Sequence, residues 1–189
     1  MATEASGAPA LGGNVVAVSR DSKHRFTKPQ AREIRVLAGF GVREDAHAGE
    51  TVQHLSRFKS NPKAPNLRQV HLIHSELFDE LARKGFTVRP GDLGENITTR
   101  GIDLLELGRD TLLRIGPEVV LSVTGLRNPC GQINNFRPGL LKHLAFNTRE
   151  RIIRKAGIMS VALKGGTIRP GDRIEIERPD GLHIPLDRV

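Results

Sequence analysis

The chain has 189 residues with one cysteine, no tryptophan and no tyrosine, and its 29 Lys+Arg against 21 Asp+Glu leave a formal charge of +8. A single cysteine excludes an internal disulfide and a Cys-based zinc site, and no apolar run approaches the roughly 20 residues of a membrane-spanning helix. The charge favours anionic partners: a phosphate, a nucleic acid or a small anion. Single-strand nucleic-acid binders stack bases on aromatic rings, and seven Phe are the whole aromatic set here.

Residues 1–13 are rich in Ala and Gly and lack the basic and apolar regions of a signal peptide. They read as a flexible tail, with a cytoplasmic, reducing setting as the expectation. The Val-rich run at 14–19 predicts a strand. Residues 20–35 follow with six basic and two acidic side chains, a surplus of four and so half the net charge. A second strand is expected at 33–37, leading into an irregular loop from Gly39 to Gly49. Residues 66–73 predict another strand. Ser75 is placed to cap a helix over 76–84, with Leu77, Phe78 and Leu81 on one face and Gly85 as the stop.

The hexapeptide Thr87-Val88-Arg89-Pro90-Gly91-Asp92 returns as Thr167-Ile168-Arg169-Pro170-Gly171-Asp172. Pro followed by Gly suits a type II turn, and both copies are expected to connect strands. Short β-like runs at 102–107, 111–115 and 119–124 suggest a sheet closing on itself as a barrel or sandwich. Pro138 can open a helix through Leu140, Leu141 and Leu144. Strands at 158–163 and 173–177 complete the pattern. With no linker or shift in composition, residues 14–189 read as one domain, mainly β with a few helices (α+β).

Cys130 follows an apolar strand in Gly125-Leu126-Arg127-Asn128-Pro129-Cys130-Gly131-Gln132. A lone cysteine is often a small buried hydrophobe. Here Pro129 and Gly131 lead the backbone out of the strand, and Arg127 favours the thiolate, the form that attacks or binds metal. Lys23, His24, Arg25 and Lys28 surround Phe26 and Pro29. They are either a solvated loop or the several donors that a phosphate-bearing ligand requires. Asp45 and His47, with His54 downstream, form a turn or contact an anion or metal beside the cysteine. Asn96, after Gly94-Glu95, is a polar corner. His71 and His74 would point to opposite faces of a strand, which disfavours a zinc site. No GxGxxG, GxxxxGK[ST], GxSxG or HExxH motif occurs, leaving Rossmann, P-loop and common hydrolase chemistry without support.

Taken in order, these segments resemble the MOSC domain family, the module named for the C-terminal part of molybdenum cofactor sulfurases. The matching stretches are Ser22 to Lys28, Gly41 to Gly49, Asn66 to His74, Pro90 to Thr98, Leu126 to Cys130, and Gly157 to Val161 running on to Gly171-Asp172. They span about residues 14 to 178. The resemblance implies a β-barrel-like core and makes Cys130 the hallmark residue, carrying sulfur as a persulfide or ligating molybdenum of a bound molybdenum cofactor. It also implies that Lys23, His24, Arg25, Lys28, Asp45, His47, Asn96, Arg127 and Asn128 surround that cofactor.

Some members of the family reduce N-hydroxylated compounds, which here would need an external electron donor. A sulfur carrier would instead be fed by a cysteine desulfurase, and nothing in the chain looks like the pyridoxal-phosphate domain of sulfurases. A plain anion or nucleic-acid binding module is the third reading. One departure stands out: the family usually has Gly-Asp where this chain has Glu44-Asp45. If that glycine serves a positive φ, Glu44 is strained or the loop is rerouted.

Overall fold

A computed structural model describes residues 12–53, 61 and 63–189; most of the predicted tail and His54 lie outside them. In chain order the strands are β1 (Gly12–Ser19), β2 (Gln30–Ala31), β3 (Ile34–Leu37), β4 (Gly41–Val42), β5 (Val70–His74), β6 (Ile97–Arg100), β7 (Leu112–Ile115), β8 (Val119–Leu126), β9 (Ala145–Asn147), β10 (Ile152–Arg154), β11 (Ile158–Lys164), β12 (Gly166–Ile168) and β13 (Arg173–Glu177). Among the described residues the α-helices are α1 (Glu76–Arg83), α2 (Gln132–Phe136) and α3 (Leu141–Leu144).

Seven strands close into a barrel in the order β1-β6-β5-β11-β8-β7-β13, with β13 returning to β1 and β2 hanging from β1. Closure pairs Gly12 with Glu175 and Asn14 with Arg173. All of these pairings are antiparallel except β5 with β6. A parallel pair needs a crossover, and α1 lies in it. The barrel is filled by alternate residues of its strands, among them Val15, Leu72, Ile97, Leu113, Leu121, Ile158 and Ile174. Each such side chain contributes about 1.5–3 kcal/mol by leaving water. A second apolar cluster beneath these helices gathers Ile73, Leu77, Phe78, Leu81, Ile133, Leu140 and Leu144.

The apolar face expected of the first helix is therefore the one that packs. Its start differs: Ser75 has helical backbone angles and its hydroxyl makes no capping bond. Residues 102–107 hold a 3₁₀ turn (Leu104–Glu106) where a strand was expected, because Asp103 accepts a hydrogen bond from the Leu105 amide at 3.2 Å and folds the chain back. Pro138 opens no helix; α3 begins at Leu141, and α2 precedes the proline unannounced.

Both Pro-Gly turns form. Asp92 N–H donates to Arg89 O at 3.0 Å and Asp172 N–H to Arg169 O at 3.1 Å, with φ of 89° at Gly91 and 93° at Gly171. The second joins β12 to β13 as expected, whereas the first lies between α1 and β6. No helix among the described residues is long and apolar enough to cross a membrane.

Candidate functional site

The loop between β1 and β2 is held against the first Pro-Gly turn by backbone contact. Lys28 N–H donates to Gly91 O at 2.8 Å, and a Cβ on Gly91 would lie 2.1 Å from the Lys28 carbonyl oxygen. Only glycine permits that approach at this φ. Gly171, the equivalent residue of the second turn, has open space around it. One copy of the repeat is thus a seat for the basic loop and the other is only a turn.

That seat delivers Lys28 to Asp45, which stands just beyond β4. Their side chains are 3% and 1% exposed and lie 2.7 Å apart. Asp45 also accepts from Asn96 Nδ2 at 2.9 Å and from the His47 amide at 3.0 Å. Burial pushes its carboxyl up, but the bonds from His47 and the charge of Lys28 overcome this and hold it well below the usual carboxylate range. Burial lowers Lys28, with Asp45 opposing. Asn96 uses both amide hydrogens, the second on Ser19 O at 3.2 Å, and its oxygen accepts from His71 N–H at 3.2 Å. It ties β1, β5 and the Asp45 loop together. Glu44 sits at φ 61°, so the chain keeps the left-handed turn at this residue instead of rerouting, and its carboxylate pairs with Arg20.

These elements border a cavity of about 600 Å³ that also reaches Cys130, well inside the range of ligand pockets. Of the residues singled out in the sequence, Arg25, Lys28, His47, Asn96, Arg127, Asn128 and Cys130 line it. Lys23, His24 and Asp45 do not. His24 instead packs edge-on against His47, ring centroids 5.4 Å apart, and Asp45 stands behind Lys28. Sequence reasoning did not place His71, Arg68, Met159 or Gln132 on this wall. For His71 a signal existed: its opposition to His74 across β5 puts one of the two histidines inward.

Arg25, Lys28, Arg68 and Arg127 give the cavity four cationic side chains, and no carboxylate lines it among the described residues. Arg127 follows β8 directly, and its guanidinium lies 5.8 Å from the centroid of the Phe26 ring. Its Nη1 is buried and has no hydrogen-bond partner among the described residues. Burial lowers this group, while Cys130 and Glu95 oppose the shift. His71 is held neutral by burial and by the nearby Arg127 charge, and its Nε2–H donates to Ala156 O at 2.8 Å. Cys130, half-buried on the loop before α2, directs its thiol to Gln132 Oε1 at 3.5 Å. Asn128 accepts from Arg154 Nε at 3.3 Å. The arrangement can hold an anion against fixed cations with one thiol at its edge.

The sequence profile of the MOSC domain matches residues 45–175. The fold is similar to that of the YuaD protein of Bacillus subtilis, with a TM-score of 0.73 and 21% identity over 90% of this chain and 98% of that one. YiiM from Escherichia coli aligns with a TM-score of 0.58 and 16% identity, covering 90% of this chain and 73% of that one. YiiM from Geobacillus stearothermophilus gives the same score and identity over 93% and 78%. Comparison with curated proteins yields no match.

Proposed function

The chain belongs to the MOSC domain family, and from that premise we propose that it binds the molybdenum cofactor, with the Cys130 thiolate as metal ligand and the cationic cavity around the cofactor's phosphate. Bound there, the cofactor would support reduction of N-hydroxylated compounds with electrons from an external donor. The observation that carries this reading is the buried, unpartnered Nη1 of Arg127 on the wall that also holds Cys130. Leaving such a donor unsatisfied costs about 1–3 kcal/mol, more for a charged group, and an anionic oxygen would recover it.

The residues present fit the group. A thiolate is a soft ligand suited to a thiophilic metal, and guanidinium groups match phosphate oxygens in pairs. Among the described residues no three His, Cys, Asp or Glu side chains converge on a point, so further metal ligands would come from the cofactor itself. The bound group would supply the redox chemistry. The chain's part is to hold it: Arg127 and Arg25 at anionic oxygens, Lys28 as a fixed charge locked by Asp45, and His71 as a neutral wall. Protonated Cys130 gives its S–H to Gln132; as the thiolate it is free to ligate.

A second reading is favoured by the position of Cys130 beside Gly131, where an added Cβ would meet nothing within 4 Å. A protein partner could reach this edge. The thiolate would then take the terminal sulfur of a desulfurase persulfide, releasing the desulfurase thiolate and leaving a persulfide on Cys130.

Metal analysis of protein purified from a cofactor-producing host tests the first reading. Wild type is expected to hold close to one molybdenum per chain and Cys130→Ser almost none. A wild type as metal-free as the variant overturns it. If intact-mass analysis after incubation with a desulfurase and cysteine then shows one added sulfur on Cys130, the second reading takes its place.

A further inference from the structure

We propose that residues 137–155, comprising α3 and the β9–β10 hairpin, are the docking face for an acidic electron-carrier protein that serves Cys130. The inference rests on the cofactor reading above. This stretch carries six Arg or Lys against one Glu, a larger surplus than that of residues 20–35. Lys155 alone meets a carboxylate, Glu80, at 2.8 Å. Arg137, Lys142, Arg149 and Arg151 are exposed and have no ion-pair partner among the described residues. Clustered cations raise the local potential and draw in an oppositely charged surface.

The hairpin is built to present these charges. Among the described residues its strands pair only with each other, outside the barrel. Thr148 closes the tip: its hydroxyl accepts from the Arg151 amide at 3.0 Å and donates to the Arg151 carbonyl at 2.8 Å, which fixes Arg149 and Arg151 at the end. At the base, Lys155 N–H donates to Leu144 O at 2.8 Å, while Lys155 Nζ grips Glu80 of α1. A two-stranded hairpin is marginal by itself in water, so these anchors maintain it.

Two apolar side chains stand exposed on it, Ile152 at 50% and Phe146 at 39%. By strand alternation Ile152 shares a face with Arg154, and Arg154 reaches Asn128, two residues before Cys130. Arg154 thus ties the hairpin to the rim of the cavity, and Arg149 and Arg151 project from the tip of the same hairpin. Small electron carriers associate through small, charge-steered contacts, often below about 1,200 Å². A short projecting module of predominantly positive charge around an aliphatic side chain has that character. A nucleic acid would call for aromatic stacking partners, and the chain has no Trp or Tyr.

The test measures binding of the purified, full-length protein to two acidic probes, a flavodoxin and a plant-type [2Fe–2S] ferredoxin, with duplex DNA as the rival. At least one carrier is expected to bind, more weakly as salt rises from about 50 to about 200 mM. The double reversal Arg149→Glu/Arg151→Glu should weaken that binding at least about tenfold at unchanged melting temperature, and Ile152→Ser should weaken it at unchanged salt dependence. The control Arg32→Glu/Arg35→Glu should leave it within about twofold. Binding of neither carrier, indifference to the reversal, or displacement of both carriers by DNA overturns the proposal. Molybdenum content of the same preparations separates the two ideas. A metal-free wild type sinks the cofactor reading, whereas a metal-loaded wild type that binds neither carrier removes the docking face alone.

Discussion

In residues 20–35, Arg20 pairs with Glu44, Arg25 with Asp21 at 2.6 Å and Lys28 with Asp45 at 2.7 Å, while Glu33 engages Arg169 at 2.6 Å. In residues 137–155 a single cation finds a carboxylate. Both stretches are basic in composition, yet among the described residues the first folds three of its six cations onto carboxylates, the buried Lys28 included, whereas the second does so with one of six. Counting charges along a chain measures what a segment could attract. Whether it still attracts anything depends on which carboxylates the fold returns to it, and the ones that matter at Lys28 and Arg20 are 17 and 24 residues away.

If the first stretch is structural wall, removing its buried cation should cost the fold dearly. Lys28→Ala leaves Asp45 charged and buried without its counter-ion, a loss expected near 3–5 kcal/mol in urea unfolding. The reversal of Arg149 and Arg151, both exposed and unpaired, should stay within about 0.5 kcal/mol in the same measurement. Comparable losses in the two would erase the distinction.

Acid provides the next arm. Because the Asp45 carboxyl is held below its ordinary value, the folded chain binds fewer protons than the unfolded one near pH 4. Its contribution is complete above the unfolded value of about 3.9 and is lost as pH falls toward the folded value. Asp45→Asn should therefore flatten the dependence of stability on pH between about 5 and 3. An unchanged slope would mean that the pair is not formed in solution.

The smallest effect is expected at Glu44. Glycine removes a side chain from φ 61° at the cost of an exposed ion pair worth little, so Glu44→Gly should raise stability by up to about 1 kcal/mol, seen as a higher melting temperature. A fall would show that the Arg20 pair outweighs the strain.

Much of the barrel is legible in the residues. Runs such as 119–124 and 173–177 alternate or concentrate branched apolar side chains, and they become β8 and β13. The segments that could not be read are those decided by single polar contacts or by distant partners. Asp103 turns an apolar run into a 3₁₀ turn, and Ser75 has helical backbone angles that leave its hydroxyl out of the cap. The β9–β10 hairpin has no apolar alternation to announce it. At the candidate site the motifs around Lys28, Asp45 and Cys130 are visible separately in the chain. Their convergence on one cavity with His71 and Arg68 is a property of the folded barrel, which brings together residues as distant in sequence as Arg25 and Met159.

Closure by β1 and β13 also sets an order of events. Gly12 meets Glu175 only after nearly the whole chain is available, and pairings this remote in sequence form slowly because loop closure precedes their reward. The last described residue to line the cavity is Met159 of β11, so a growing chain on the ribosome lacks the full set of lining residues until β11 has emerged.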